Sequence, residues 1–387
     1  MKNFCVLPFV NLEARTDGTI SPCCIMQDDS GLQLSEGATL SQAWKSKWLE
    51  DYRQAFLNGE KPEACSNCWN EEDAGIQSKR LRENVYYRWM FDFKNPKATN
   101  IPISLDLKLG NVCNSKCRIC TSFASSQWAK EEIKIDPSKK DEILAFNHKG
   151  MWPKNNDKFW IDLESMLPNI IKFEFFGGEP LLIDKHYEIL ETCVEKDYAK
   201  NIEVSYNTNG SIFPEDKVDL WKQFKKVQIF FSIDDINERF NYIRHPGKFD
   251  TVMENIKKFK ALEGNFEFAI FQTIGILNIC NLKELTEYVE KNLSMHIHYN
   301  MVFEPQHMSA KCLPRDVKKV INEMYSDNQP EYISRILKYI NGKQYRIDKF
   351  QQFIHTTKFG DTYRDESFEN TFPKLYQHIK EYWNGIQ

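Results

Sequence analysis

The run IPISLDLKLGNVCNSKCRIC occupies residues 101–120 and joins a strand pattern to a group of cysteines. Five aliphatic residues alternate with mostly polar ones over residues 101–109, which is the period-two pattern of a β-strand. Cys113, Cys117 and Cys120 follow in the spacing C-x3-C-x2-C. Because each thiolate of a [4Fe–4S] cluster ligates one iron, three thiolates leave the fourth iron open, as catalytic metal sites require. Three cysteines that pack in the core or bind zinc are the alternative.

The composition of the whole chain is that of an ordinary globular protein. Its 387 residues are 41% hydrophobic and 27% charged, and a formal net charge of −4 gives no general attraction to nucleic acid. No apolar run approaches the roughly 20 residues that cross a bilayer. The start, MKNFCVLPFVNLEAR, lacks the long apolar core of a signal peptide. We therefore expect a cytoplasmic protein with neither a nucleic-acid nor a membrane partner.

Most of the eleven cysteines are clustered, which in a reducing compartment indicates metal binding rather than disulfides. An Asp17-Gly18 turn predicts a hairpin that brings Cys5 and Cys23 together. Cys65 and Cys68 form a C-x2-C pair, after an aromatic-rich helical stretch that ends at Asn58-Gly59. These four thiolates fit either structural zinc or a fully ligated [4Fe–4S] cluster, and Cys24 is left over. The isolated residues are expected to be buried small hydrophobes: Cys193, Cys280 and Cys312.

Strands and helices alternate from about residue 100 to residue 305. The expected strands are 101–109, 171–176, 202–206, 227–233, 266–276 and 295–303. The expected helices between them are 185–198, 214–224, 251–262 and 281–293, the third starting with a Thr251-x-x-Glu254 capping box. Alternation of this kind predicts parallel strands with right-handed crossovers. We expect an α/β fold, a partial (β/α)6 TIM-like barrel.

Polar residues and glycines follow the expected strands at the barrel rim where chemistry usually sits. They are Gly177, Gly178, Glu179, Pro180, Asn207, Asn209, Ser232, Asp234 and Asn278. A glycine pair allows close approach of a ligand, and Ser232 and Asp234 share one side of a strand from which they can bind a ribose or a carboxylate. Arg244 can pair with a carboxylate through its guanidinium fork, or it is an ordinary surface arginine.

The cysteine loop, with Gly-Gly-Glu-Pro some sixty residues beyond it, resembles the radical S-adenosylmethionine (radical SAM) enzymes. The resemblance implies that S-adenosylmethionine chelates the open iron, that Gly177–Pro180 contact its amino group, and that Ser232 and Asp234 bind its ribose. It further implies that Arg244 meets the carboxylate and that the three asparagines line the pocket. Ile119 stands where the family often has an aromatic residue, which leaves a backbone contact to the adenine.

The spacing from Cys5 through Gly18 to Cys23 resembles the C-x(9–15)-G-x4-C opening of SPASM/twitch auxiliary-cluster domains. Cys65 and Cys68 resemble the later pair of those domains. The resemblance implies an auxiliary [4Fe–4S] cluster. The module precedes the radical domain here instead of following it, and the extra cysteines of a two-cluster SPASM domain are missing, so one twitch-like cluster is the better match.

Three regions are expected: an Fe–S auxiliary domain over 1–95, the barrel over 96–305, and a helical extension over 306–387 without a chemical motif. The expected function is hydrogen abstraction by a 5′-deoxyadenosyl radical from a peptide or protein side chain, with an electron donor such as a flavodoxin or ferredoxin. The alternatives are a dehydrogenase of a small alcohol or carbohydrate, and a non-catalytic Fe–S or zinc protein that senses redox state or binds a partner.

Overall fold

The computed structural model describes residues 2–327 and 329–385. Its strands are β1 (Asn11–Ala14), β2 (Ile20–Ser21), β3 (Ser104–Leu107), β4 (Lys172–Phe175), β5 (Glu203–Thr208), β6 (Lys226–Ser232), β7 (Phe266–Ile274) and β8 (His296–Met301). All six strands predicted between residues 100 and 305 are present as β3 to β8. The period-two pattern over residues 101–109 is confirmed as a strand, β3.

The eight strands form one sheet in the order β2-β1-β3-β4-β5-β6-β7-β8. Strands β3 to β8 are parallel and follow one another in chain order, as the alternation of strands and helices predicts. The amino-terminal hairpin extends this sheet, because β1 pairs with β3 in parallel from Asn11–Ser104 to Ala14–Leu107. Strand β2 pairs with β1 antiparallel, and Gly18 takes a φ of +84° in the turn between them.

Helices before the fifth strand lie at α1 (Leu7–Val10), α2 (Leu40–Trp44), α3 (Lys47–Leu57), α4 (Ser66–Asp73), α5 (Lys79–Tyr86), α6 (Ala129–Ile135), α7 (Lys140–Lys149), α8 (Trp152–Asn155), α9 (Asp157–Met166) and α10 (Asp184–Glu195). Those after it are α11 (Val218–Trp221), α12 (Asn237–Ile243), α13 (Phe249–Lys260), α14 (Leu282–Asn292), α15 (Arg315–Met324), α16 (Glu331–Ile340), α17 (Ile347–Arg364), α18 (Phe368–Thr371) and α19 (Pro373–Gly385).

Two local helix predictions were wrong in their boundaries. The aromatic-rich stretch before Asn58 is two helices, because the Ser46 side chain caps a new start by accepting from the Leu49 amide. The capping box at Thr251 does not exist, since α13 already begins at Phe249 and Lys248 occupies the cap position. Burial of Phe249 against Phe240 explains the earlier start, because packing of an apolar residue outweighs a weak capping preference.

The described residues include two large apolar cores. One joins the amino-terminal segment to the barrel, since Leu12, Trp44 and Leu49 are buried together with Leu105 and Phe173. The other joins the end of the barrel to the carboxy-terminal helices. It contains the predicted packing residues Phe368, Phe372, Leu375 and Ile379, with Tyr376 and Trp383 partly buried against it.

One cavity of about 760 Å³ is lined by the inner faces of β4 to β8. A cavity bounded by five consecutive strands requires the sheet to curve around it, which is consistent with a partial barrel. Among the helices that the structure describes, none is long and apolar enough to cross a membrane.

Candidate functional site

The loop Cys113–Cys120 follows β3 and is held by backbone hydrogen bonds to the end of α12. The amide of Lys116 donates to the carbonyl of His245 at 2.6 Å, and the amide of Arg118 donates to the carbonyl of Ile243 at 2.7 Å. Because neither bond uses a side chain, the two segments keep their relative position whatever the side chains of the loop bind.

The three thiols of this loop lie close to one another. Burial is the main cause that raises the pKa of all three thiols, that of Cys113 to about 11. Neighbouring thiols add to the rise at two of them, since Cys117 raises the pKa of Cys113, and Cys117 and Cys113 raise that of Cys120. Clustered, partly buried thiols suit a group that binds them as thiolates and removes their protons. Their number and position fit a [4Fe–4S] cluster with one open iron.

Gly177 and Gly178 place the loop after β4 directly against the cysteine loop. The amide of Glu179 donates to the Val112 carbonyl at 2.8 Å, and that of Gly178 donates to the Ala124 carbonyl at 3.1 Å. A Cβ on Gly178 would lie 2.1 Å from the Val112 oxygen, and its φ is +58°. The close approach that this glycine permits is therefore to the protein backbone next to Cys113.

Glu179 is fully buried and ties two rim loops together. Its carboxylate accepts from the Leu181 amide at 3.2 Å, the Thr208 hydroxyl at 2.7 Å and the Asn209 amide at 2.7 Å. Burial raises the pKa of this carboxyl to about 7, although the three hydrogen bonds oppose the rise. Pro180 begins a short turn behind it.

Asn207 lies within β5, and Asn209 follows the end of that strand. The Asn209 side-chain amide donates to Asn114 Oδ1 at 2.8 Å and to Ser115 Oγ at 3.3 Å, so it contacts the cysteine loop. Asn207 lines the large cavity, and its buried Oδ1 has no hydrogen-bond partner among the described residues. Of the two, Asn207 thus has an acceptor available to a ligand.

Arg244 and Asp234 form a buried ion pair beside the cysteines. Arg244 donates to Asp234 Oδ2 from Nε at 2.8 Å and from Nη2 at 2.7 Å, while the Thr273 amide donates to Oδ1 at 2.8 Å. The alternative that Arg244 is a surface arginine is wrong, because only 9% of it is exposed. Burial lowers the pKa of its guanidinium, but Asp234, Cys117 and Cys120 together raise that pKa by more, which places the charge near both thiols.

Ser232 and Asn278 differ in their freedom to bind a ligand. Ser232 is half-buried at the end of β6, on the same face as the strand's cavity-lining residues. The Asn278 side chain donates to the carbonyls of Asp234 and Thr273 and accepts from the Gly275 amide, at 2.9 to 3.0 Å. Asn278 therefore braces the loop after β7 with all the groups of its amide engaged.

Four of the five amino-terminal cysteines line one small cavity. They are Cys5, Cys23, Cys65 and Cys68. Cys24 faces the large cavity instead, where Lys79 Nζ lies 3.2 Å from its sulfur. The grouping expected from the spacing is the grouping found. Among the residues described, no three His, Cys, Asp or Glu side chains are close enough to hold a single metal ion.

The large cavity adjoins the small cavity that the four cysteines line. Lys79 and Ile25 border both it and the small four-cysteine cavity. Three of its lining residues are exposed: Glu267 and His296 near the starts of β7 and β8, and Glu304 after β8. His298 also lines it, and burial lowers the pKa of that imidazole to about 4.

The charged groups on the inner face were not predicted from the sequence. Lys79 Nζ lies 3.0 Å from Glu174 and 3.5 Å from Asp106, whose carboxylate is fully buried. Lys172 contacts Glu174 as well. The alternation Lys-Phe-Glu-Phe over β4 contained the signal, since phenylalanines on one face put both charges on the other.

The carboxy-terminal helices also contact the cysteine loop, which no sequence motif indicated. Arg118 Nη2 donates to Asp361 at 2.8 Å and to Glu366, and its guanidinium lies 4.0 Å from the ring centre of Tyr242. Ile119, half-buried, packs against the carboxy-terminal core. This helical extension is therefore part of the surroundings of the site.

Comparison with known proteins gives one family and several distant relatives. Residues 107–289 match the family profile described as "Radical SAM superfamily". Over 180 residues, 44% of the chain, it is 26% identical to the radical SAM cyclopropyl synthase TigE of Paramaledivibacter caminithermalis, and the match spans only 35% of TigE. Over 266 residues, 67% of the chain, it is 25% identical to an uncharacterised protein of Methanocaldococcus jannaschii, of which the match spans 83%.

Solved structures with a similar arrangement are more distant. The anSMEcpe structure with bound AdoMet and Cp18Cys peptide is 20% identical, with a TM-score of 0.39 over 58% of each chain. Streptococcus suis SuiB bound to its precursor peptide SuiA is 13% identical, with a TM-score of 0.35 over 81% of this chain and 64% of SuiB.

Proposed function

Because residues 107–289 match the radical SAM superfamily profile, we propose that this chain is an enzyme of that superfamily in which Cys113, Cys117 and Cys120 hold a [4Fe–4S] cluster whose open iron binds S-adenosylmethionine. The single observation that carries this proposal is that the matched segment contains all three thiols in one loop, packed against the Gly-Gly-Glu-Pro loop. When bound, the cluster supplies the electron that cleaves S-adenosylmethionine to methionine and a 5′-deoxyadenosyl radical.

The residues around the cysteines orient the nucleoside. Gly177 and Gly178 would offer backbone carbonyls to the amino group, while Glu179 and Pro180 fix the turn, since their carbonyls accept from the Leu182 and Ile183 amides. Ser232 offers its hydroxyl at the end of β6, and Asn207 offers a side-chain oxygen at the cavity wall. Arg244 keeps a positive charge beside the thiols, and Asp234 orients it. Asn209 and Asn278 have their side chains engaged within the protein, so we assign them to holding the rim loops in place. Ile119 would contact the adenine through its backbone.

We assign an auxiliary [4Fe–4S] cluster to Cys5, Cys23, Cys65 and Cys68, within residues 1–95. Four thiols around one cavity supply a full ligand set. The shared walls at Ile25 and Lys79 put this set next to the large cavity, so a substrate in that cavity would lie beside the auxiliary cluster. Electron transfer from a substrate radical to the auxiliary cluster is thereby possible over a short path.

For the substrate we propose a side chain of a peptide or protein. The cavity has a volume of about 760 Å³, and Glu267, His296 and Glu304 of its lining are exposed. A cavity of this volume would hold one side chain of a larger molecule. The flavodoxin or ferredoxin expected as electron donor belongs to the same proposal, as does a cytoplasmic location.

The test is anaerobic reconstitution with iron and sulfide, reduction with dithionite, and incubation with S-adenosylmethionine. We expect 5′-deoxyadenosine from the wild type and none from the Cys113→Ala/Cys117→Ala/Cys120→Ala variant. That variant should still retain iron in the auxiliary site, which separates the two clusters. Absence of 5′-deoxyadenosine from a fully reconstituted wild type, with candidate peptides present, would support the sensor alternative. Turnover with sugars or small alcohols but not with peptides would support the dehydrogenase alternative.

A further inference from the structure

Arg364 is the last residue of α17, in the extension that carries no sequence motif. Its side chain is only 1% exposed, and its Nε donates to Glu131 Oε1 at 2.9 Å. The guanidinium also lies 4.8 Å from the ring centre of Trp128. Both partners belong to the segment that directly follows the cysteine loop, so α17 reaches over that segment to place a cation there.

The two terminal nitrogens of Arg364, Nη1 and Nη2, are buried and have no hydrogen-bond partner in the part of the chain that the structure describes. Glu131 does not satisfy them, because its Oε1 accepts from Nε and its Oε2 accepts from Lys116 Nζ at 3.0 Å. A buried charged group whose hydrogen-bond donors lack acceptors lowers the stability of the fold. Such groups commonly pair with an ion or a ligand. Arg364 therefore needs an acceptor beyond those that the described residues provide.

A candidate for such an acceptor lies on the cysteine loop. Trp128, against which the Arg364 guanidinium packs at 4.8 Å, donates from Nε1 to the Cys117 carbonyl at 2.9 Å. The same ring therefore contacts both Arg364 and the backbone of the cysteine loop, which places the unpaired nitrogens one side chain away from that loop.

The position of Arg364 is held by the rest of α17. Arg118 of the cysteine loop donates to the Thr357 carbonyl at 3.3 Å and to Asp361 at 2.8 Å, both within the last two turns before Arg364. A Cβ on Gly360 would lie 2.5 Å from Arg118 Nη1, so helix and loop pack without space between them. Arg364 is consequently preorganised rather than a mobile surface arginine.

We propose that Arg364 Nη1 and Nη2 donate hydrogen bonds to the electron-rich sulfur atoms of the cluster held by Cys113, Cys117 and Cys120, and so stabilise its reduced form. This inference rests on the proposed function, which supplies that cluster. Hydrogen bonds to the sulfurs and nearby charge are among the main determinants of a cluster's potential. Arg364 would thus contact the cluster directly, from the carboxy-terminal helices.

The experiment is a redox titration of the full chain, reconstituted and followed by electron paramagnetic resonance in the absence of S-adenosylmethionine. The signal that disappears in the Cys113→Ala/Cys117→Ala/Cys120→Ala variant identifies the cluster in question. We expect Arg364→Met to shift its potential to more negative values, because a positive charge and its hydrogen-bond donors are lost. Arg364→Lys keeps the charge and should shift it less. Arg346→Met removes an arginine whose side chain is 85% exposed and should leave it unchanged.

The outcomes separate this inference from the proposed function. If the wild type shows the cluster signal but Arg364→Met and Arg364→Lys keep the wild-type potential at equal iron content, the inference is overturned and the proposed function stands. If the potential moves only when S-adenosylmethionine is present, the nitrogens bind that molecule instead, and the inference is again overturned. If the wild type forms no such cluster, both fail together. Should Arg364→Met bind little iron, Arg364→Lys decides.

Discussion

Gly178 lies at the closest contact between the two loops of the site. An added Cβ would meet the Val112 oxygen at 2.1 Å, and the residue has a φ of +58°. Gly31 provides a matched control, since its φ is +68° and a Cβ added there would meet nothing within 4 Å beyond its chain neighbours. Comparing alanine substitutions at Gly178 and Gly31 separates the effect of the steric contact from the effect of the positive φ, which both residues share.

We expect Gly178→Ala to lower the free energy of unfolding by about 2 to 4 kcal/mol, and Gly31→Ala by only about 1 kcal/mol. The difference arises because Val112 must move, and Cys113 moves with it. Urea unfolding measures the stabilities, and iron content after reconstitution measures the effect on the loop. If the two variants lose the same free energy of unfolding, Val112 moves aside without an energetic cost and the expectation is contradicted.

His186 gives a pH dependence that can be assigned to one residue. It is 1% exposed, its Nδ1 donates to the Ile183 carbonyl at 2.5 Å, and burial lowers the pKa of its imidazole to about 3. The folded protein therefore keeps His186 neutral where the unfolded chain binds a proton. Its contribution to stability is complete above the unfolded pKa of about 6.5 and is lost as the pH falls toward 3.

Between pH 7 and pH 5 the wild type should lose about 2 kcal/mol of stability through His186 alone. His186→Phe should lose that much less over the same interval, measured by urea unfolding at each pH. Tyr187→Phe is the control, because it changes a neighbouring ring in contact with His186 without removing a group that titrates in this range. If His186→Phe leaves the change in the free energy of unfolding between pH 7 and pH 5 as it is in the wild type, the assignment is contradicted.

At the level of elements, helix α17 holds the cysteine loop in place. Asp361 accepts from Arg118 at 2.8 Å, from the Tyr242 hydroxyl at 2.5 Å and from the Phe368 amide at 2.6 Å. It thereby joins the loop, α12 and α18 through one carboxylate. Sequence patterns could not reveal this, because an acidic residue late in a helix is usually solvated.

We expect Asp361→Asn to destabilise the protein by about 2 to 4 kcal/mol, since it leaves the buried Arg118 charge incompletely paired. The variant should also retain less iron at the Cys113–Cys120 loop than at the auxiliary site. Asp365→Asn is the control, because Asp365 is exposed and its φ of +54° suits asparagine as well. Iron analysis and urea unfolding of both variants provide the comparison.

At the level of the whole molecule, residues 1–95 share a sheet and a core with the barrel, so we expect the two to unfold as one cooperative unit. Strand β1 covers the edge of β3, and the core residues Leu12, Trp44 and Leu49 pack with the barrel. An uncovered parallel edge and an exposed apolar face both favour aggregation.

A chain that begins at residue 96 should therefore fail to fold as a monomer. The full chain should unfold in a single transition with coincident midpoints by circular dichroism and tryptophan fluorescence. Size-exclusion chromatography and both spectroscopic probes test this. A monomeric, cooperatively unfolding 96–387 fragment would contradict it.

The sequence by itself determined the six parallel strands, the positions of the rim loops and the grouping of Cys5, Cys23, Cys65 and Cys68 apart from Cys24. Each of these follows from local patterns, because strand periodicity and ligand spacing are properties of short segments. Of the local patterns, caps were the least informative, as the start of α13 at Phe249 shows.

Only the tertiary structure decided the partners of buried charges. It paired Arg244 with Asp234, committed all the groups of the Asn278 amide to backbone and packed Arg364 against Trp128 and Glu131. It also joined the amino-terminal hairpin to the barrel sheet. These contacts connect residues far apart in the chain, and many charged residues could serve as partners. Which of them meet is decided by the packing of apolar faces, not by any pattern near the residues themselves.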